Sequence, residues 1–228
     1  MFECIKWKQS VIFAVFVILS PFIMFITKSF LSFMLGFNVF LAFIPLYLIW
    51  LIEYLLKRSD YKIKYYHIII FIIFVLFFPN TFYIITDAIH INSSLFYTFE
   101  EMYSPTVYLR DISSYIMLFH ILIAIFYGLY AGCESLLGVR NILHNLKLKP
   151  VINNIMLFMI IILSSVGIYI GRFMRFFSWD IFNPVKIISE LFLEIDLFFF
   201  MFILLFTFTQ LIIYTGYLHI KGSSKSSN

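Results

Sequence analysis

Long apolar stretches, separated by short polar ones, dominate the chain. Six of them are close to the roughly 20 residues that an α-helix needs to cross the hydrocarbon core of a bilayer. They are apolar on every side and show no alternation of period two, so they predict helices rather than the strands of a membrane barrel. The predicted spans are Val11–Thr27, Phe30–Ile52, Ile68–Thr86, Ile112–Leu137, Ile155–Gly171 and Leu191–Tyr217.

Composition supports the bilayer as the solvent of this chain. Of the 228 residues, 63% are hydrophobic and only 12% are charged, whereas soluble domains carry about 25% charged residues. The polar surface is too small to cover a water-soluble globule. We therefore predict an all-α polytopic membrane protein, with a single six-helix transmembrane domain over residues 1–220 and a flexible cytoplasmic tail over 221–228.

The distribution of basic residues predicts the orientation. Eleven of the sixteen Lys and Arg residues fall on one side of the predicted bilayer. The positive-inside rule makes that side cytoplasmic, and an even number of spans places both termini there. These residues serve as topology signals that also contact anionic lipid, so no nucleic-acid partner is predicted. They are Lys6, Lys8, Lys57, Arg58, Lys62, Lys64, Arg140, Lys147, Lys149, Lys221 and Lys225.

Two polar clusters, Pro79–His90 and Gly171–Asp180, lie at the ends of the third and fifth predicted spans. Because successive spans alternate in direction, both clusters end on the extracytoplasmic side. Charge at the edge of a bilayer is costly and is rarely without a purpose. We therefore predict a polar site at the outward-facing mouth of the helix bundle.

The first cluster offers Asn80, Asp87 and His90. Asp87 and His90 could form a proton relay, supply two ligands to a divalent metal, or be a structural hydrogen-bonded pair. No other cofactor is predicted. A metal would need a third ligand, and no spacing identifies one among Glu100, Glu101, Asp111 and Asp180. Asn80 either supports this polar network or satisfies a carbonyl freed by the neighbouring Pro79.

The second cluster offers Arg172 and Arg175, three residues apart and expected to project from one helix face. Two guanidinium groups aimed together suit a phosphate or a carboxylate. The alternative is an ion-pair network with nearby acids such as Asp180. Trp179 fits an interfacial anchor that supports the cluster.

Other polar residues have structural interpretations. His120 is expected to be a satisfied core histidine, and Asn38 and Gln210 to link helices. Glu53 and Glu134 are expected to pair with Arg58 or Arg140. The Gly167-x-x-x-Gly171 spacing predicts close helix packing on the fifth span.

Three segments together carry a resemblance to a known family. They are Phe37–Pro45, then Pro79-Asn80 through Asp87 and His90, and then Gly167–Arg175 with Ser178-Trp179-Asp180. With these motifs the chain resembles the bacterial membrane proteins grouped as domain of unknown function 1361. Phe82 stands where that pattern usually has proline, and Phe177 where it has asparagine. The resemblance implies a location in the bacterial inner membrane and the position of the site, but no reaction.

Three function classes follow. The first is a membrane protein whose outward-facing site binds or processes an anionic lipid or a lipid-linked envelope precursor, through Asp87 and His90 as acid/base or ligand and Arg172 and Arg175 as anion binders. The second is a transporter or a membrane subunit of one, which would carry polar groups through the membrane. The third is a non-catalytic scaffold that recognises another membrane protein through the loop from Asp87 to Asp111.

Overall fold

The computed structural model describes residues 2–92, 95–98, 107–176 and 183–226. Within these residues, six helices are long and apolar enough to cross a membrane, with a mean hydropathy of 2.0 to 2.6. This confirms the prediction of six membrane-spanning helices. They are Gln9–Thr27, Phe30–Arg58, Tyr65–His90, Ile112–Asn145, Pro150–Arg172 and Leu197–Ser223.

The secondary structure is helical apart from one small hairpin in the described residues. The α-helices are α1 (Phe2–Thr27), α2 (Phe30–Arg58), α3 (Tyr65–Phe77), α4 (Pro79–Tyr83), α5 (Ile112–Asn145), α6 (Pro150–Arg172), α7 (Pro184–Leu193) and α8 (Leu197–Ser226). A 3₁₀ helix, Ile84–His90, follows α4 directly and completes the third span. The strands β1 (Tyr97–Thr98) and β2 (Val107–Tyr108) pair antiparallel, with Tyr97 opposite Tyr108.

The chain forms two compact units. The first comprises Met1–Leu41 and Tyr83–Gly128, and the second comprises Ala42–Phe82 and Leu129–Asn228. In the first unit α1 and α2 approach closely at Gly36, where an added Cβ would lie 2.5 Å from Ser20 Cβ. The absence of a side chain at Gly36 therefore allows this contact, as small residues do between membrane helices.

In the second unit, glycines again mark the tightest contacts. A Cβ at Gly132 would lie 2.5 Å from the ring of Phe82, and a Cβ at Gly167 would lie 2.6 Å from Pro79 Cγ. The contact at Gly167 confirms the expected close packing on the fifth span. Phe82 is fully buried. It thus fills the space that Gly132 leaves.

The third span is interrupted at Pro79. Helix α3 ends at Phe77 and α4 begins at Pro79, because a proline has no N–H to donate and its ring clashes with the preceding turn. Asn80 Nδ2 donates a hydrogen bond to the Phe77 carbonyl at 2.9 Å, and Thr81 Oγ1 donates one to the Phe78 carbonyl at 2.8 Å. Two carbonyls at the break therefore have side-chain donors, as the structural interpretation of Asn80 required.

The segment after the fifth span differs from the prediction. The sixth span does not start at Leu191, because that residue belongs to the separate helix α7. Helix α8 starts at Leu197, where Asp196 Oδ1 accepts the Phe199 backbone N–H at 2.7 Å and caps the helix. Helix α8 then continues to Ser226, so residues 221–226 of the predicted tail are helical.

The partners of the two glutamates near the predicted cytoplasmic ends also differ from the prediction. Glu53 pairs with Lys57, one helical turn away, at 2.6 Å. Glu134 on α5 accepts from Tyr217 and Lys221 on α8. The expectation of arginine partners was wrong. Glu53 pairs with the lysine one turn further along its own helix, and Glu134 pairs with Lys221, a residue that the prediction had placed in a tail.

Candidate functional site

Asp87 is a carboxylate held almost completely inside the first unit. It lies in the 3₁₀ helix Ile84–His90, and its residue surface is 3% exposed. Asn38 on α2 donates a hydrogen bond from Nδ2 to Asp87 Oδ2 at 3.0 Å. A buried carboxylate without donors would be strongly destabilised. The Asn38 amide therefore offsets part of the cost of burial and fixes the direction of the carboxylate.

His90 shares the 3₁₀ helix with Asp87 but lies in a different environment. Side chains three residues apart are eclipsed in a 3₁₀ helix, so the two residues occupy the same face. His90 is exposed, whereas Asp87 is buried. This end of the third span therefore combines a buried carboxylate with an exposed imidazole. A proton relay between them stays a prediction.

A metal at Asp87 and His90 also stays a prediction. The part of the chain that the structure describes contains no group of three or more His, Cys, Asp or Glu residues that could hold a metal ion. Three of the four candidate third ligands lie outside the described residues: Glu100, Glu101 and Asp180. The fourth candidate, Asp111, is described and has another function.

Asp111 caps the N-terminus of α5. Its carboxylate accepts hydrogen bonds from the backbone N–H groups of Ser113, at 3.3 Å, and Ser114, at 3.0 Å. The Ser114 hydroxyl donates to the same carboxylate. These donors stabilise the charged form, first the hydroxyl and then the backbone, and they lower the pKa of Asp111 below its ordinary value. Its lone pairs therefore serve the helix rather than a ligand.

The two arginines are placed differently from each other. Arg172 is the last residue of α6, while Arg175 lies beyond the helix with φ at +58°. The expectation that both project from one helix face was wrong, because α6 ends between them. A cation at a helix C-terminus is favoured by the helix dipole, which gives Arg172 a structural reason for its position. Arg175 is exposed, and a left-handed non-glycine residue costs on the order of 1–3 kcal/mol.

Aromatic rings fix the end of α6 that carries Arg172. Tyr169 packs on the edge of Phe199 at 4.9 Å between ring centroids, and Phe173 packs on Phe198 and Phe202 at 5.2 and 5.1 Å. These contacts join α6 to α8 within the second unit. Trp179 and Asp180, the remaining members of the predicted cluster, lie outside the described residues.

Sequence reasoning missed the partner of Asp87. It expected Asn38 to link helices, which is confirmed, but it did not connect Asn38 with Asp87. Both are polar residues inside predicted membrane spans, and this shared property was the signal that could have predicted their pairing. The expectation for His120 is confirmed: its Nε2 hydrogen-bonds the Ser32 carbonyl at 3.2 Å, and its ring stacks on Phe16.

Gln210 also links helices as expected. Its Nε2 donates to Ser165 Oγ at 2.9 Å, and that hydroxyl lies 2.9 Å from Thr207 Oγ1. This buried polar network joins α6 and α8. It adds a second polar location, inside the second unit, that the charge pattern of the sequence did not reveal.

Six long apolar helices with polar residues buried among them define a multi-pass helical membrane protein. Residues 37–213 match the model of a family described as protein of unknown function (DUF1361), and the chain belongs to this family. The match includes Asn38, Asp87, Arg172 and Arg175. Searches of curated proteins and of solved structures find no match.

Proposed function

We propose that this protein binds an anionic lipid or a lipid-linked envelope precursor at the outward-facing ends of its third and fifth spans, and that Asp87 takes part in processing it. The observation that carries the proposal is the burial of the Asp87 carboxylate with the Asn38 amide directed at it. An ionisable group within a membrane span is expensive, and it marks a functional site by default.

Each polar residue has a task in this proposal. Asn38 orients the Asp87 carboxylate, which accepts or returns a proton as the substrate reacts. His90 is exposed and carries an imidazole, a group that can exchange protons between Asp87 and water. Arg172 and Arg175 bind the anionic head group through their guanidinium donors. The strained backbone at Arg175 supports a binding role, since such conformations cluster at ligand-binding positions.

Lipid turnover by the purified full-length protein tests the proposal. Vesicles of a bacterial polar lipid extract are incubated with the protein, and consumed and formed lipids are measured by mass spectrometry. Asp87→Asn keeps an oxygen that can accept from Asn38 but removes the acid/base group. We expect turnover to fall by about 10²–10⁴-fold, with unchanged thermal stability. Asp111→Asn, a change at an exposed capping carboxylate, is the matched control and retains turnover.

Binding of the head group is measured separately. Native mass spectrometry counts the phosphatidylglycerol molecules retained by the wild-type protein and by Arg172→Gln and Arg175→Gln. We expect both variants to retain less of this lipid, while Lys186→Gln on α7, which removes a cation whose partner is Glu190 at 3.9 Å, retains as much as the wild type. Full turnover by Asp87→Asn would exclude an acid/base role for Asp87. Degradation of all four variants at Asp87, His90, Arg172 and Arg175 would show that these residues are structural.

A transporter is the second candidate, and the buried network of Ser165, Thr207 and Gln210 favours it. Gln210 Oε1 and the Ser164 hydroxyl have no hydrogen-bond partner within the described residues. Unused polar atoms inside a membrane domain suit a binding site along a transport path. Solute flux through proteoliposomes that is abolished by Gln210→Leu would support this candidate. Lipid turnover without flux would reject it.

A further inference from the structure

The connection between the fifth and sixth spans contains a helix that is too short to cross the membrane. Helix α7 has 10 residues, which is about 15 Å at 1.5 Å per residue and half of the roughly 30 Å hydrocarbon core. Only three residues join it to α8. Phe173, just after α6, packs on Phe198 in the first turn of α8 at 5.2 Å between ring centroids. The end of α6 and the start of α8 therefore meet at one membrane surface, and α7 lies close to it.

One side of α7 presents apolar side chains to the surroundings. Val185 is 76% exposed and Phe192 is 71% exposed. They are seven positions apart, which at 100° per residue places them within about 20° of each other around the helix. Exposed apolar residues continue beyond them, with Leu193 at 86% and Leu197, the first residue of the sixth span, at 74%. The apolar side of α7 is thus followed within a few residues by the lipid-facing surface of that span.

The two charged side chains of α7 have partners within the protein. Lys186 Nζ lies 3.9 Å from Glu190 Oε1, one helical turn away, and 5.4 Å from the centroid of the Phe176 ring. Glu194 and Asp196 follow the helix, so this segment carries one cation and three carboxylates. Such a segment is not attracted to the phosphate groups of anionic lipids. Helix α7 therefore offers the membrane apolar surface rather than positive charge.

The position of α7 identifies what covers its apolar side. Neighbouring exposed apolar side chains mark a contact with a membrane or another protein, and here the hydrocarbon region is within reach because α8 enters it at Leu197. A helix that lies in the plane of the interface buries its apolar side roughly 5–10 Å deep. At 100° per residue the Lys186–Glu190 pair lies about 130° around α7 from Val185 and Phe192. This pair then faces the head groups and water.

We infer that α7 is an interfacial helix, which inserts Val185 and Phe192 among the acyl chains of the leaflet at which α6 ends. Its partner is the acyl-chain region of phospholipids, with no requirement for an anionic head group. Helix α7 thereby anchors the connection between α6 and α8. Through the contact of Lys186 with Phe176, it also holds the segment that carries Arg175 at the membrane surface. The inference is independent of the proposed lipid processing, in which Val185 and Phe192 take no part.

Spin-label accessibility in nanodiscs tests the inference on the full-length protein. Cys4 and Cys133 are replaced by alanine, and a nitroxide label is attached to Val185→Cys, Phe192→Cys or Lys186→Cys. Oxygen, which concentrates in hydrocarbon, and a water-soluble nickel chelate are the two relaxing agents. In phosphatidylcholine nanodiscs we expect the ratio of oxygen to nickel accessibility at Val185→Cys and Phe192→Cys to be several-fold higher than at Lys186→Cys.

Two reference positions calibrate this ratio. Leu204→Cys changes a residue that is 75% exposed within the sixth span, and its label should give the hydrocarbon value. Lys62→Cys changes an exposed residue between the second and third spans, and its label should give the value for water. Addition of phosphatidylglycerol to the nanodiscs should leave the ratios at Val185→Cys and Phe192→Cys unchanged, because α7 binds through apolar surface.

Three results would overturn the inference. Ratios at Val185→Cys and Phe192→Cys equal to that at Lys62→Cys would place α7 in water. Low accessibility to both relaxing agents would show that protein, such as a second copy of this chain, covers the apolar side. Hydrocarbon values that appear only with phosphatidylglycerol would make insertion depend on head-group charge. If the cysteine-free protein does not fold, Cys133 is retained, since it is buried and inaccessible to the label.

Discussion

Asn38 Nδ2 donates to Asp87 Oδ2 at 3.0 Å, a hydrogen bond between residues 49 positions apart in the chain. It joins α2 to the 3₁₀ helix Ile84–His90 inside the first unit. Polar links between membrane helices are worth about 0.6 kcal/mol on average and reach about 1.7 kcal/mol. This one has a further consequence, because it provides a donor for a carboxylate that is buried in an apolar environment.

A double-mutant cycle measures this link. Asn38→Leu removes the donor and leaves a buried acceptor group, so we expect a loss of about 1–3 kcal/mol of stability. Asp87→Leu should also destabilise the protein, since it leaves the Asn38 amide without this acceptor. The double variant should lose less stability than the two single variants lose together, because it contains neither the Asn38 amide nor the Asp87 carboxylate. Thermal unfolding of the purified protein in detergent provides the measurement.

The control for this cycle is Asn141→Leu, which changes an exposed asparagine on α5. We expect it to leave the unfolding temperature nearly unchanged. Strict additivity of Asn38→Leu and Asp87→Leu would mean that the two side chains do not stabilise each other.

Two glycines provide a matched pair that tests helix packing in the second unit. A Cβ at Gly167 would lie 2.6 Å from Pro79 Cγ, whereas a Cβ at Gly216 would have no atom within 4 Å. Gly167→Ala should therefore destabilise the protein by about 1–3 kcal/mol through overpacking. Gly216→Ala should stabilise α8 by up to about 1 kcal/mol, the difference in helix propensity. Equal effects of the two changes on the unfolding temperature would contradict the close approach at Pro79.

Asp111 makes the stability of the α5 N-terminus dependent on pH. Its pKa is lowered in the folded protein by the Ser114 hydroxyl and by backbone N–H groups. The charged carboxylate therefore contributes its full stability at pH values above the pKa of Asp111 in the unfolded chain, near 3.8. This contribution is lost as the pH falls through the lower pKa of the folded protein. The difference in unfolding temperature between the wild type and Asp111→Ala should shrink in that acidic range.

The same cap is checked by carbon NMR of the Asp111 carboxyl group. Ser114→Ala removes the hydroxyl donor, so the pKa of Asp111 should rise toward its ordinary value, while Ser113→Ala should change it less because only the Ser113 backbone N–H donates. An identical pKa of Asp111 in the wild type and in Ser114→Ala would show that the Ser114 hydroxyl does not stabilise the charged carboxylate.

The six spans could be predicted from the sequence because hydropathy over about 20 residues is a local property that needs no knowledge of packing. The break at Pro79 and the capping by Asn80 were also accessible, since proline chemistry acts on its own turn. The start of the sixth span was misplaced because Leu191 and Leu193 are as apolar as the span itself. The signal lay in Asp196, which caps α8.

Contacts between distant helices could not be predicted in the same way. The pairing of Asn38 with Asp87 depends on how α2 and the third span rotate about their axes, which apolar sequences on all sides do not reveal. The link from Glu134 to Lys221 likewise requires α8 to extend into the predicted tail. The prediction that Arg172 and Arg175 share one helix face was wrong because nothing in their spacing shows that α6 ends at Arg172.

Cysteine labelling measures whether the end of the third span faces outward, on which the proposed lipid-processing site depends. Cys4 and Cys133 are first replaced by alanine, and His90→Cys and Lys62→Cys are introduced singly. Both positions are exposed and lie near opposite ends of the third span. A membrane-impermeant maleimide should label His90→Cys in intact cells and Lys62→Cys only after permeabilisation. Labelling of Lys62→Cys but not His90→Cys in intact cells would contradict the outward orientation of Asp87 and His90.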